Sequence, residues 1–391
     1  MKTTSIRSYA HAFLVAPTMR SIAHGLMAMG LLAALGATGT AQAQIPVPVG
    51  SSSAIVSVFV TGGLTNPRGL TFGPHGTLYV SEGGYPTGHV TAAPTGDFGN
   101  CSTGLNGPGI YSGSRKGSRI SKVDTNGTVT TFVDNLPSSE AGGLASGVAD
   151  IAFIGDTMYG ILASAGCSHG VPSIPNGVFR VKADHTWKMI ADLSAYQRAH
   201  PVANPTDAMN GDFEPDGTWY SMIAHGGALY AVEPNHGEVD KITTSGAISR
   251  VVDVSAHYGH IVPTTITYRG GFYLGNLDRF GIPSGSSKVY KLTPSGHINI
   301  DRSGFSVVTG VVFDSQGRLY VLEASTDSEA LSTPGQIVRV DTSGHRKAIV
   351  TNLTTPTAMT FGPDGKLYVS NAGFGVPPVG LGQIVMVEIT D

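Results

Sequence analysis

The sequence is poor in charged residues, and this shortage excludes several classes of protein. Charged residues make up 13% of the 391-residue chain, whose formal net charge is −3. No stretch gathers the lysines and arginines that a nucleic-acid-binding surface needs, so we expect no nucleic-acid partner. Helical patterns are scarce as well, with one candidate at residues 192–198. The chain is instead rich in glycine, with 53 residues, which is typical of tight turns between short strands.

The sequence motifs of two common enzyme classes are also missing. The sequence contains no H-E-x-x-H and no Walker pattern. These motifs mark the zinc-binding helix of a metalloprotease and the phosphate loop of a nucleotide-binding protein. The sequence therefore predicts none of these sites.

Residues 1–43 have the pattern of a cleaved secretory signal peptide. The leader carries Lys2, Arg7 and Arg20 and no acid, followed by an apolar run at 25–37 and the small-x-small sequence at 41–43. That run is too short for a bilayer span, which needs about 20 residues. We expect a secreted or periplasmic protein without a membrane span; an uncleaved anchor is the alternative. A Pro/Ser/Gly linker is predicted at 44–53.

One sequence pattern recurs across the rest of the chain. Residues 355–373 read TPTAMTFGPDGKLYVSNAG, residues 66–84 read NPRGLTFGPHGTLYVSEGG, and residues 308–325 read VTGVVFDSQGRLYVLEAS. Each copy has two short apolar runs around a polar turn, which predicts a β-hairpin. A pattern that recurs at this scale indicates a repeat architecture.

Each repeat contains four predicted strands. After the hairpin of the first unit comes a second strand pair at 118–136, with its turn at Asn126-Gly127. Six such units follow one another, but the last lacks its fourth strand. The apolar segment 55–60 can supply it and so remove the open edges of the array. We therefore predict an all-β fold at 54–391, a six-bladed β-propeller whose N-terminal strand closes the last blade.

The long connections between predicted strands all emerge on one side of such a propeller, which we name the long-loop face. They are residues 83–117, 163–176, 194–217, 277–286 and 372–382. The turns on the opposite side, the short-turn face, are short. Because binding residues favour long loops on a rigid scaffold, we expect the long-loop face to bind the ligand. Cys101 and Cys167 fall in two of these loops, which predicts a disulfide in an exported protein; two free thiols or a metal pair remain the alternative.

The hairpin pattern F-G-P-x-G-x-L-Y-V, at 72–80 and 361–369, resembles that of NHL-type and gluconolactonase-like propellers. With its leader, closing strand and NPRGL start, the chain resembles the ScyD/ScyE family of exported bacterial propellers. That resemblance implies export and fold but no particular activity.

The resemblance to gluconolactonases implies a divalent metal in the central channel, held at the residue that opens the first strand of several blades. The corresponding residues are Arg68, Ala149, Tyr220, Thr264, Thr309 and Thr357. None is a carboxylate, and a shift of one residue adds only Asp150. Because hard divalent cations take several oxygen ligands, we predict no such metal here.

A second set of polar residues ends the second strand of five blades. The six positions are Glu82, Leu162, Glu233, Asn276, Glu323 and Asn371. Their side chains could form a ring around the channel mouth that holds a cation or a polar ligand. Alternatively, each could accept backbone N–H bonds from its own loop.

Two further groups are weaker candidates for a metal site. The stretch 207–216 carries Asp212, Glu214 and Asp216, but it lacks calcium-loop spacing, so a solvated acidic loop is the alternative. His257 and His260 could form a zinc or acid–base site with Glu233, or simply cap turns.

We therefore expect an exported, monomeric scaffold that binds a small molecule, a polymer or a protein on its long-loop face. No cofactor is predicted, and calcium is the one cation considered. The alternative is a hydrolase or lyase acting at the channel mouth. In it, Arg68, Tyr220 and His260 would contact the oxyanion or leaving group, and a glutamate at position 82, 233 or 323 would act as base.

Overall fold

The structure is a computed structural model that describes residues 45–93, 111–205, 214–279, 282–327, 333–373 and 380–391. Two strands precede the repeats, β1 (Val49–Gly50) and β2 (Ala54–Leu64). The first repeat forms β3 (Pro67–Phe72), β4 (Leu78–Glu82), β5 (Thr91–Ala92), β6 (Ser112–Val123), β7 (Val129–Ala141) and β8 (Leu144–Ser146). The second forms β9 (Val148–Ile154), β10 (Thr157–Leu162), β11 (Gly177–Val181) and β12 (Trp187–Asp192).

The later repeats follow the same plan. The third contains β13 (Ser221–His225), β14 (Ala228–Glu233), β15 (Glu238–Thr243) and β16 (Ile248–Asp253). The fourth contains β17 (Pro263–Tyr268), β18 (Phe272–Asn276), β19 (Ser287–Leu292) and β20 (Ile298–Phe305). The fifth contains β21 (Val308–Phe313), β22 (Leu319–Glu323), β23 (Gly335–Val340) and β24 (Arg346–Leu353). The sixth contains β25 (Ala358–Phe361), β26 (Leu367–Asn371) and β27 (Gly382–Ile389).

These strands form six antiparallel sheets arranged as the blades of a propeller. The first strands of the blades contact one another in the order β3, β9, β13, β17, β21, β25 and back to β3, which closes a ring around a central channel. Apolar side chains fill the seams between blades; Trp219, Ile161 and Leu229, for example, belong to one buried cluster. Burial of this apolar surface holds neighbouring blades together.

The N-terminal strand completes the last blade, as the sequence predicted. The order in that sheet is β2-β27-β26-β25, with Val58 opposite Val385 and Ala54 opposite Ile389. The short strand β1, within the predicted linker, also pairs with the propeller: Val49 lies opposite Thr351 of β24. The N-terminal segment is therefore bound along the edges of two blades.

Among the described residues, the structure contains one more α-helix than the sequence predicted. Helix α1 (Leu193–Ala199) coincides with the predicted segment, and α2 (Val254–Tyr258) was missed. Asp192 and Asp253 cap them, accepting hydrogen bonds from Ala195 N (2.8 Å) and Ala256 N (2.9 Å). Both helices begin after the last strand of a blade, with the sequence D-[LV]-S-A. Comparison of these two segments would therefore have predicted the second helix.

The first blade is larger than predicted. The predicted strand pair ended at residue 136, but β7 continues to Ala141 and forms a further hairpin with β8, in which Ser139 lies opposite Ser146. The turn uses Gly142 and Gly143, both at positive φ (59° and 88°), which glycine adopts readily.

The predicted signal peptide lies outside the described residues and stays a prediction. Among the helices of the described residues, none is long and apolar enough to cross a membrane.

Candidate functional site in the central channel

The first strands of the six blades enclose a cavity of about 130 Å³. Five of the six predicted channel residues line it, namely Arg68, Ala149, Tyr220, Thr309 and Thr357. In the fourth blade the lining residue is Thr265 rather than the predicted Thr264, which is fully buried.

Three threonines of this set connect neighbouring blades. The hydroxyl of Thr264 donates to the carbonyl of Val308 (2.6 Å), and that of Thr309 donates to the carbonyl of Pro356 (3.0 Å). The hydroxyl of Thr357 likewise donates to the carbonyl of Pro67 (2.7 Å) in the first blade. These hydroxyls therefore connect blades four, five, six and one in sequence.

Asp150 is the only acidic side chain among the described residues that line the cavity. Its Oδ2 accepts hydrogen bonds from Met222 N (2.9 Å) and Ser221 Oγ (3.0 Å), and its Oδ1 accepts one from Ile151 N (2.9 Å). Burial raises the pKa of Asp150 to about 6, although the three hydrogen bonds oppose the change. The side chain is surrounded by protein but keeps partial exposure. The cavity thus contains a carboxyl group whose pKa is raised toward neutral pH.

In each first strand, the residue that follows the one compared in the sequence analysis also lines the cavity, except that in the fourth blade it replaces that residue. The shifted positions are Gly69, Asp150, Ser221, Thr265, Gly310 and Ala358. Three polar side chains therefore follow one another in blades two, three and four. The sequence analysis considered the shifted position for carboxylates alone, so it named Asp150 but not Ser221 or Thr265.

Arg68 and Tyr220 lie together at the long-loop end of the channel. The guanidinium carbon of Arg68 is 5.6 Å from the centre of the Tyr220 ring. The Tyr220 hydroxyl donates to the carbonyl of Thr357 (3.0 Å), so this side chain reaches from the third blade to the sixth, on the opposite side of the ring. Burial raises the pKa of Tyr220 to about 12, so its hydroxyl keeps its proton. Burial lowers the pKa of Arg68, yet arginine remains charged at neutral pH.

The residues that end the second strands bond to their own blades and do not line the cavity. Glu82 accepts from Thr65 N (2.6 Å), Glu233 from Thr218 N (2.8 Å), Glu323 from Ser306 N (2.9 Å) and Asn371 from Thr354 N (2.8 Å), while Asn276 donates to the carbonyl of Ile261 (2.9 Å). All five side chains are buried. These contacts are made to backbone groups of the connections that lead into the blades.

The structure describes two acids of the predicted acidic loop, Glu214 and Asp216. Both accept hydrogen bonds from other residues of the protein. Glu214 accepts from Tyr111 Oη (2.5 Å) and lies 3.0 Å from His169 Nε2. Asp216 accepts from Ser168 N (2.8 Å) and from Arg198 (2.7 Å). The expectation of a solvated loop is therefore wrong for these two residues, which join three connections of the long-loop face. Asp212 lies outside the described residues.

His169 is fully buried in this group. Its burial opposes a positive charge, but Glu214 and Asp216 outweigh that effect and raise the pKa of His169.

The other histidines do not assemble a metal site with Glu233. His257 is exposed on α2, and His260 is partly buried in the connection that follows. Glu233 instead pairs with His236: its Oε2 lies 3.5 Å from His236 Nδ1. In the part of the chain that the structure describes, no three His, Cys, Asp or Glu side chains are placed to hold a metal ion.

A divalent metal does not fit the channel residues. One carboxylate faces the cavity, three of the predicted threonines donate their hydroxyls to carbonyls, and Arg68 adds a positive charge. A hard cation would take several oxygen ligands and would be repelled by the guanidinium.

Cys167 begins a short 3₁₀ turn, Cys167–His169. Its predicted partner, Cys101, lies outside the described residues, so the pairing stays a prediction.

Comparison with known proteins finds a family that matches part of the chain. The family model of the SMP-30/gluconolactonase/LRE-like region matches residues 215–372. Over these residues the chain is similar to gluconolactonase-like proteins. No curated protein sequence shows significant similarity to it.

Solved structures are similar to this chain in fold. A protein of unknown function from Bacteroides thetaiotaomicron has a TM-score of 0.52 at 12% identity, covering 88% of this chain and 77% of its own. A proposed oxidoreductase (glucose dehydrogenase) from Thermus thermophilus has a TM-score of 0.52 at 15% identity, covering 86% of this chain and 100% of its own. At such identities the likeness concerns the fold and not the activity.

Proposed function

We propose that this chain is an exported binding protein of the ScyD/ScyE type whose central cavity holds a small anionic ligand. The observation that carries the proposal is the guanidinium of Arg68, positioned against Tyr220 at one end of a cavity that also contains Asp150. Arginine is well suited to bind a carboxylate because its planar fork can donate two parallel hydrogen bonds. We therefore expect the ligand inside the channel and not on the long-loop face.

The size and polarity of the cavity limit the ligand. A volume of about 130 Å³ is comparable with the engineered cavity of about 150 Å³ that holds benzene. The ligand, or the part of it that enters, would therefore have about six non-hydrogen atoms. A carboxylate would approach Arg68, and a hydroxyl or ammonium group could donate to Asp150.

Thermal denaturation with small acids tests this proposal. Acetate and glycolate should raise the melting temperature of the protein, and acetamide, which has the shape of acetate without its charge, should raise it less. Arg68→Met should abolish the effect of the acids, whereas Arg302→Met, at an exposed arginine, should keep it. Equal stabilisation of Arg68→Met and the unsubstituted protein, or no effect of either acid, would contradict the proposal.

A second candidate function, hydrolysis, is favoured by the pKa of Asp150 near 6. A carboxylate of this pKa is mostly ionised at neutral pH and can accept a proton from water as the water adds to an ester or lactone carbonyl. Arg68 would face the oxyanion that forms. Because the matching family model includes gluconolactonases, small lactones are the first substrates to assay. Asp150→Asn should remove turnover; turnover that persists in this variant would exclude Asp150 as the base.

A further inference from the structure

The channel is more exposed at one end than at the other. At the long-loop end, Arg68, Thr309 and Thr357 are 7%, 6% and 2% exposed. Three residues further along the same first strands, Thr71, Val312 and Thr360 are partly exposed. In the fourth blade, Thr264 is fully buried and Thr267 is partly exposed, whereas in the third blade Tyr220 and Ile223 are both partly exposed. The partly exposed residues Thr71, Ile223, Thr267, Val312 and Thr360 all line the cavity, so the cavity extends toward the short-turn face.

Tyr220 crosses the channel at its more buried end. Its hydrogen bond to the Thr357 carbonyl connects blades that lie opposite each other, and the Arg68 guanidinium packs on its ring. Since the Tyr220 hydroxyl keeps its proton, this bond persists over the neutral pH range. Beyond Tyr220, toward the short-turn face, lie Ser221, Met222 and Ile223, which follow it along the cavity wall.

We propose that Tyr220 closes the long-loop end of the channel and that ligands reach the Asp150 cavity from the short-turn face. Ligands of β-propellers would otherwise be expected among the long loops, as the sequence analysis supposed. In this protein Tyr220 is then the residue that limits ligand length, because a bound molecule extends from Asp150 toward Thr267 and Thr360 and cannot pass the Tyr220 ring. The inference concerns the cavity of the proposed function but is independent of the ligand's charge.

Alkylation of single introduced cysteines tests the route of access. Ala149→Cys reports on the long-loop end of the cavity and Thr360→Cys on the short-turn end. Iodoacetamide labelling is followed by mass spectrometry, with the unsubstituted protein as the control for Cys101 and Cys167. We expect Thr360→Cys to react at least tenfold faster than Ala149→Cys. A tryptophan at the short-turn mouth, Thr267→Trp, should slow labelling of Ala149→Cys several-fold.

Removal of the Tyr220 ring provides the decisive comparison. In Tyr220→Ala, labelling of Ala149→Cys should become fast and insensitive to Thr267→Trp. The proposal is overturned if Thr267→Trp leaves the labelling rate of Ala149→Cys unchanged while Tyr220 is intact, or if Tyr220→Ala does not raise that rate. Thr71→Trp, at the same end of another blade, replaces Thr267→Trp if the latter does not fold. Because iodoacetamide is uncharged, these outcomes do not depend on whether carboxylates bind Arg68.

Discussion

A Cβ atom on Gly69 would lie 2.0 Å from Oδ1 of Asp150 in the neighbouring blade. Real side chains do not approach this closely, so the missing side chain of Gly69 provides the space that the carboxyl group occupies. Gly69→Ala should displace Asp150 from its hydrogen bonds to Ser221 and Met222. We expect a loss of about 1–3 kcal/mol in the free energy of unfolding, measured by urea denaturation, together with weaker stabilisation by acetate.

Gly271→Ala is the matched control for this substitution. At Gly271 the nearest atom to an added Cβ would be 3.4 Å away, which is an ordinary contact. Its stability should stay within about 0.5 kcal/mol of the unsubstituted protein. If the stability of Gly69→Ala were also within this range, the position of Asp150 would not depend on the absence of a side chain at Gly69.

The stability of the protein should depend on pH through Asp150. Its pKa is about 6 in the folded protein against 3.8 for an unperturbed aspartate, so between these values the folded state binds a proton that the unfolded state has lost. Stability contributed by this group therefore falls as pH rises from about 4 to about 6, by at most about 3 kcal/mol.

Asp150→Asn separates this effect from those of other acids. The difference in free energy of unfolding between the unsubstituted protein and the variant should decrease across this pH range and be constant on either side. A difference that is independent of pH would place the pKa of Asp150 at its ordinary value.

The sequence was sufficient to predict the fold because its signals are local and repeated. Polar turns, Gly-Pro-x-Gly in two of the blades, define hairpins, and the alignment of the six repeat units identifies the first strands and, with them, Arg68 and Tyr220 at the channel. The closing strand was predictable because the sixth repeat lacks a strand that residues 55–60 can supply.

The contacts that organise the site could not be predicted, because they join residues far apart in the chain. The hydroxyl of Tyr220 meets a carbonyl 137 positions away, and the Asp150 carboxyl depends on Ser221, 71 positions away. Repeats show which residues share a position in their blades, but not whether a side chain crosses the channel or bonds to its own loop. For Glu82, the sequence could not distinguish a ligand-binding side chain from one that bonds to a loop.

Glu82→Ala should destabilise the first blade without changing the cavity. The carboxylate is fully buried and accepts hydrogen bonds from Thr65 N, from Ser121 and, at 2.7 Å, from Arg119 Nε. Its removal leaves these donors without their acceptor, which should cost about 3 kcal/mol in the free energy of unfolding. Asp156→Ala, at an acid that is largely exposed in its pair with His75, should be nearly neutral.

Glu82→Ala should retain its stabilisation by acetate under conditions in which it is folded. If it were stable but no longer responded to acetate, Glu82 would belong to the ligand site after all.

Asp240 of β15 is a fully buried acid that costs stability at high pH. Burial raises the pKa of Asp240 well above its usual range, and the charge of Glu238 adds to the effect. Since the folded state holds the proton more tightly, stability falls as pH rises through the folded pKa. Asp240→Asn should therefore gain stability relative to the unsubstituted protein as the pH rises from 4 to 8, measured as the free energy of unfolding. A gain that is equal at both pH values would show that Asp240 is not the group that titrates.

The predicted disulfide between Cys101 and Cys167 can be tested by intact mass. The unfolded, unreduced protein should take up no alkylating reagent, and the reduced protein should take up two equivalents. The turn that begins at Cys167 carries Ser168 and His169, which contact Asp216 and Glu214, so the bond would secure the loops that these acids join. Because the bond would close a loop of about 65 residues, its loss should cost up to about 4 kcal/mol. Cys101→Ser should reproduce the stability of the reduced protein, whereas uptake of two equivalents without reductant would show that both thiols are free.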